Sequence, residues 1–163
     1  MMGSRVYGLA AVLLGAVVLV WHEFSSTWQP VPDTLPQRAL FAYAAGAVFV
    51  AAGLALVARR WERPAALAVA ALSLVFAAGW ANRIAGQPTL FATWLGLAEQ
   101  MAVVLGGLAI VISRGGRAGP AAHGLRVLFG LCLLAFGTAS AAGRSHRRAT
   151  SASPAATNTA PAA

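Results

Sequence analysis

Trp21-His22-Glu23-Phe24-Ser25-Ser26-Thr27-Trp28-Gln29-Pro30-Val31-Pro32-Asp33-Thr34-Leu35-Pro36-Gln37-Arg38 decides how this chain is read, because an apolar run of near-membrane length lies on each side of it. Prolines at 30, 32 and 36 forbid a regular helix there and favour an extended or turning path. Val6 to Trp21 precedes the segment and Ala39 to Ala58 follows it. A helix of about 20 apolar residues crosses a hydrocarbon core of about 30 Å. The loop is therefore the polar connection between two membrane spans.

Working outward, the same alternation repeats. Ala58 gives way to Arg59-Arg60-Trp61-Glu62-Arg63-Pro64, a tight basic turn, and Pro64 suits the first turn of the next helix, where its missing N–H costs nothing. A third run covers 65–81, the link 82–88 follows, and a fourth run covers 91–112. Turn residues 113–120 end it, and a shorter fifth run spans 127–142. Residues 143–163 are Ser, Arg, Ala, Thr and Pro without large apolar side chains, a composition expected to be disordered. The expected fold is all-α, a multi-span transmembrane helix bundle of four core helices and a shorter, marginal fifth run that leaves open whether it crosses. The first run has a charged start, as a signal peptide has, but Trp21-His22-Glu23-Phe24 stands where small cleavage-site residues belong, so it reads as a retained first helix.

Composition agrees. The chain is 59% hydrophobic and 10% charged, against about 25% charged in an ordinary globular domain. All basic residues are arginine, which together with the abundant alanine suggests a GC-rich bacterial coding sequence. The net charge of +8 does not make a nucleic-acid face, because the arginines lie in short links between apolar runs. Their distribution orients the chain. The turns at 59–63 and 113–126 are arginine-rich, whereas the first loop carries only Arg38, offset by Glu23 and Asp33. A cytoplasmic N-terminus with the proline-rich loop outside is expected, in the bacterial cytoplasmic membrane. Arg144, Arg147 and Arg148 break that pattern if the fifth run crosses.

Gly8 and Gly15, Gly46 and Gly53, and Gly130 and Gly137 are each spaced by seven, two helical turns, and stripes of small residues let membrane helices approach closely. The fifth run also lines up with the first: Gly8-Leu9-Ala10-Ala11-Val12-Leu13-Leu14-Gly15 against Gly130-Leu131-Cys132-Leu133-Leu134-Ala135-Phe136-Gly137, each after an arginine-led start. This alignment makes the C-terminus from about Thr138 read as a truncated or frame-shifted second repeat.

Trp28-Gln29-Pro30-Val31-Pro32, Leu35-Pro36 and Arg38, then Ala42-Tyr43-Ala44-Ala45-Gly46 and Ala52-Gly53-Leu54-Ala55-Leu56-Val57-Ala58-Arg59-Arg60, resemble the DoxX-like family of small bacterial integral membrane proteins. Trp94-Leu95-Gly96-Leu97-Ala98-Glu99 fits the same pattern, and the resemblance covers residues 5–137. It implies a four-helix core in the bacterial inner membrane. It also implies an accessory or anchoring role beside a membrane oxidoreductase in a quinone-linked redox system, because the family is named for a subunit of a thiosulfate:quinone oxidoreductase. The C-terminal tail departs from the family pattern.

Among candidate sites, Glu99 is the one acid inside an apolar run, with Gln100 beside it. An intramembrane carboxyl is expensive and marks function by default; the plain alternative is that it reaches the interface or a neighbouring helix. His22, Glu23, Asp33, Arg38 and Arg83 are expected near the outer ends of the spans, where they would form a proton-handling pocket or a quinone head-group site under the proline-rich loop. The plain alternative there is an interfacial cluster. Trp21, Trp28, Trp61, Trp80 and Trp94 all fall near run ends, as an interfacial aromatic belt does. No His/Cys/Asp/Glu set has metal-ligand spacing, no nucleophile has a paired base, and His22 and His123 are expected on opposite sides, so neither a metal nor a haem is expected. Cys132 inside an apolar run reads as an inert thiol. The chain is expected to lack its own cofactor and independent catalysis, and to have the lipid bilayer, an oxidoreductase or further copies of itself as partners. A small-solute or ion carrier and a structural scaffold are the alternatives.

Overall fold

Four helices hold the apolar runs, and each is long enough and apolar enough to cross a bilayer. The computed structural model describes residues 3–24, 29–113, 119–120, 123–125, 127–132 and 134. Helix α1 is Gly3–Trp21, α2 is Arg38–Val57, α3 is Glu62–Gly86 and α4 is Phe91–Ser113; among the described residues there is no strand. At 1.5 Å per residue the helices are about 28 to 38 Å long, matching a hydrocarbon core of about 30 Å. This architecture is the all-α multi-span bundle the sequence announces.

The distribution of side chains is that of a protein whose solvent is lipid. Leu13, Val20, Leu40, Leu54, Leu74 and Val75 are exposed, while much of the buried core is alanine: Ala11, Ala42, Ala45, Ala66 and Ala70. Hydrocarbon tails are as apolar as leucine, so burying large residues gains little and close backbone approach gains more. The first two glycine pairs show this. A Cβ added at Gly53 would lie 2.6 Å from the Gly8 carbonyl oxygen, and one at Gly15 would lie 2.6 Å from that of Gly46. Gly8 meets Gly53 and Gly15 meets Gly46, so α1 and α2 run antiparallel with their backbones in contact. Gly130 does not repeat this role among the described residues: a Cβ there would meet none of them within 4 Å. Its partner Gly137 lies outside the described residues.

Packing is uneven around the bundle. Helix α1 lies along α2 and α3 along α4, α2 and α3 join the two pairs, and α1 and α4 touch at few points. Two phenylalanines fill the centre, Phe49 stacked on Phe76 at 6.3 Å between centroids. Phe24 meets Phe76 edge-on at 5.8 Å. Phe24 comes from the connection after α1, so the proline-rich loop folds into the bundle rather than over it. Gln29 is 5% exposed, and Pro30 packs so closely on α3 that a Cβ at Gly79 would lie 2.9 Å from its carbonyl oxygen. Gly79 is seven residues before the end of α3, about 10 Å inside it.

Three expectations need correction. Helix α3 extends beyond 65–81 at both ends, and the link expected at 82–88 is largely its last turn, Ala81 to Gly86. Asn82 and Arg83 are acceptable in a helix that projects past the hydrocarbon, which hydropathy alone does not reveal. Because α3 is longer, Trp80 is 6% exposed and packs on Gly96, away from the aromatic belt in which Trp21 and Trp61 are exposed. The basic turn between α2 and α3 is as tight as expected, with the Arg60 N–H donating to the Ala55 carbonyl and Arg59 at φ 58°. Arg59 thus occupies the left-handed position that usually falls to glycine at a helix end. The described part of the fifth run belongs to a short apolar helix within His123–Cys132. The rest of 127–142, the tail 143–163 and the repeat proposed from Thr138 lie outside the described residues.

Candidate functional site

Beside the inward-folded loop lies a half-open cavity of about 190 Å³ at the middle of the bundle. Each of the four helices gives it an apolar wall residue: Leu14 from α1, Phe49 from α2, Phe76 from α3 and Val103 from α4. Four polar side chains share that wall: Gln29 from the loop, Ser73 from α3, and Glu99 and Gln100 from α4. The volume suits a handful of waters, at about 30 Å³ each, or one small polar group.

Depth follows from the helix limits. The midpoint of α4 is Ala102, so Glu99 stands about 4.5 Å from it along the axis. The midpoint of α3 is Leu74, one residue from Ser73. Glu99 therefore lines the cavity near the middle of α4, at the level of the middle of α3. Its carboxyl makes no hydrogen bond or ion pair among the described residues, and neither of the ion pairs in the bundle, Arg38–Asp33 and Arg59–Glu62, involves it. Ser73 is 1% exposed, and its enclosed Oγ also has no partner among the described residues. A buried hydroxyl left unpaired costs about 1–3 kcal/mol, so this one marks a place where a polar group belongs.

Gln29 owes its position to the prolines around it. The Val31 N–H donates to the Gln29 carbonyl at 2.7 Å in a three-residue turn, and Pro30 against Gly79 fixes how deep that turn sits. Gln29 and Gln100 both have interaction partners within the protein, so they form the built part of the wall.

The chain matches no protein-family model, no curated protein and no solved structure. Its chemistry has to be read from its own residues.

The remaining polar candidates do not join Glu99. Arg38 and Asp33 pair at 2.7 Å at the surface, with the Asp33 side chain 91% exposed. His22 packs on Tyr43 with the rings tilted and 5.3 Å between centroids, its backbone left-handed at φ 58° where α1 ends. Glu23 is exposed. Arg83 lies 5.1 Å from the Trp80 ring, a cation–π contact on the outer end of α3. Among the described residues, no three His, Cys, Asp or Glu side chains gather as metal ligands do.

Sequence reasoning singled out Glu99 and noted Gln100, but it passed over Gln29 and Ser73. Ser73 is the one polar side chain between Ala65 and Ala78, and that isolation was its signal. Gln29 had none, since nothing in Trp28-Gln29-Pro30 distinguishes a buried glutamine from a solvated one. Tyr7 was also missed. Its ring fills a recess made by Gly106 and Gly107, and its hydroxyl donates to the Val103 carbonyl at 2.8 Å, bridging α1 and α4.

Proposed function

We propose that this protein is a membrane-embedded binding protein whose bundle holds a small polar group against Glu99, as a carrier or a ligand-holding subunit does. The observation that carries the reading is the Glu99 carboxyl, unpartnered among the described residues, on the wall of a cavity that also bears the Ser73 hydroxyl, likewise unpartnered among them. A scaffold needs neither group, and a carboxyl near mid-membrane is too costly to keep without a use. The reading is one of binding, with no bond made or broken.

A DoxX-like accessory role in a quinone-linked system is the second reading, favoured by one observation. Two of the segments that carry the resemblance reach the cavity, one through Gln29 and the other through Glu99 at the end of the Trp94–Glu99 motif. On that reading the cavity takes a quinone head group and the partner is a membrane oxidoreductase. Placement in a bacterial cytoplasmic membrane with the N-terminus inside belongs to both readings and rests on the arginines of the 59–63 and 113–126 links.

The test is purification of the full chain from native membranes in mild detergent, with small molecules and proteins identified in the same sample by mass spectrometry. A stoichiometric small molecule that is lost in Glu99→Leu is expected. A bound quinone with a co-purifying oxidoreductase selects the second reading. Ligand-free protein from both wild type and Glu99→Leu would sink the binding reading and leave the scaffold.

A further inference from the structure

The cavity has a neighbour on the lipid side. Where α1 and α4 diverge, a groove of about 560 Å³ runs between them, walled by Val6, Ala10 and Tyr7 on one side and Ala102 and Gly106 on the other. Leu14 and Val103 belong to both spaces: they line the groove and also the half-open cavity. Two apolar side chains are thus all that the two share as a partition, and neither is held by a hydrogen bond of its side chain. On the opposite side of the bundle no such passage can open, because α1 and α2 meet backbone to backbone at Gly8–Gly53 and Gly15–Gly46.

The two spaces differ in chemistry. Among its described lining residues, the groove has only the Tyr7 hydroxyl as a polar side-chain group, and that group is engaged with the Val103 carbonyl. The cavity holds one ionisable side chain, Glu99, with no cation paired to it among the described residues. An apolar channel ending on a carboxyl complements a molecule with an apolar tail and a positively charged, hydrogen-bond-donating head. Such a head would offset the burial cost of the carboxylate by pairing with it. An anionic head would meet like charge, and a tail-less solute would leave the groove without a role.

We infer that the ligand is a single-chain cationic amphiphile that reaches Glu99 sideways from the bilayer between α1 and α4, leaving its tail in the groove. This inference rests on the cavity being the binding site. Tyr7 acts as the latch of the seam: its bond to Val103 ties α1 to α4 beside the partition and must give way as the head passes. The Phe129 side chain, from the helix within His123–Cys132, lines the same groove and would lie along the tail.

The test uses the full chain in lipid nanodiscs and three probes of one chain length, a dodecylammonium, a dodecyl alcohol and a dodecyl sulfate, with ethylammonium as the tail-less control. Binding is measured by competition against a dodecylammonium that carries a photoreactive group at the tail end, and the crosslinked residues are mapped. Dodecylammonium is expected to bind best and to crosslink to groove residues such as Val6 and Ala10. Glu99→Gln should weaken it about tenfold, the loss expected for one charge-assisted contact. Ala10→Trp, which fills the groove from an exposed α1 position without touching the cavity, should weaken it comparably. Tyr7→Phe should speed both capture and release.

If ethylammonium binds as tightly and Ala10→Trp has no effect on it, the lateral route is wrong while the Glu99 cavity stands. If the alcohol or the sulfate matches the ammonium, the cationic head is wrong. If the chain's own segment around Phe129 already fills the groove, deleting 123–163 will be needed for crosslinking, and that result overturns the open route. If no probe shows dependence on Glu99, both this inference and the binding reading fail.

Discussion

The two seams that α1 makes within the bundle are opposites. Against α2 it presents Gly8 and Gly15, and carbonyl oxygens sit where side chains would otherwise stand. Against α4 it presents Tyr7, one hydroxyl reaching one carbonyl, with a groove on the lipid side. The first seam is closed by van der Waals contact along its length, the second by a point contact. A helix so clamped on one side and so lightly held on the other can serve as the fixed jamb of an opening. The largest test of this contrast substitutes each seam in turn. Gly53→Leu puts a branched side chain against the Gly8 backbone, which cannot move aside. Overpacking of this kind should cost about 3 kcal/mol in a detergent unfolding titration. Gly106→Ala meets the Tyr7 ring at 2.9 Å, and a ring beside an open groove can turn. A loss at Gly106 equal to that at Gly53 would end the distinction.

Two further substitutions sharpen it from the inside. Ser73→Ala removes a hydroxyl that is enclosed and unpartnered among the described residues, so it should stabilise the protein by about 1 kcal/mol while weakening ligand retention. Stability and binding moving in opposite directions would identify Ser73 as a group kept for its contact with the ligand. Destabilisation would mean that the hydroxyl already serves the fold. Tyr7→Phe should cost about 0.6 kcal/mol, the average for an interhelical hydrogen bond within membranes. A cost several times larger would make the α1–α4 seam structural and leave it unsuited to opening.

Much of this architecture was legible in the chain, for reasons that show where legibility ended. Membrane spans are written in length and hydropathy, so all four helices could be read, and α2 falls within a residue of its run at each end. The α1–α2 contact was legible because two glycine pairs at a spacing of seven say that something packs closely there, though not what. Gly130 carries the same spacing without the contact, since a small residue permits approach and does not compel it. The ends of α3 were illegible because its last turn leaves the hydrocarbon, where Asn82 and Arg83 cost nothing and hydropathy stops reporting. Glu99 was visible as a candidate because a carboxyl in an apolar run is anomalous whatever its surroundings. The cavity itself was not, because it depends on the proline-rich loop entering the bundle. Prolines say that a loop is not helical; they do not say on which side of the helix ends it lies.

The smallest expected effects come from the outer polar residues, and they bear on where the chemistry sits. In sequence, His22, Glu23, Asp33, Arg38 and Arg83 looked like one pocket because they share the ends of spans. In space a mostly buried Arg38 side chain pairs with a solvent-exposed Asp33, His22 leans on Tyr43 and Arg83 on Trp80. An ion pair whose carboxylate is exposed contributes little, since water and salt already satisfy Asp33. Asp33→Asn and His22→Ala should each change stability by under about 0.5 kcal/mol and leave bound ligand unchanged. Glu99→Gln, which alters one atom of a cavity side chain, should weaken ligand binding about tenfold with little change in stability, because a neutral amide is easier to bury than a carboxylate. Comparing ligand content across these three variants in one preparation separates the two regions directly. Loss of ligand in Asp33→Asn, with Glu99→Gln unaffected, would move the site outward to the loop surface and require the 22–38 segment to rearrange into a pocket.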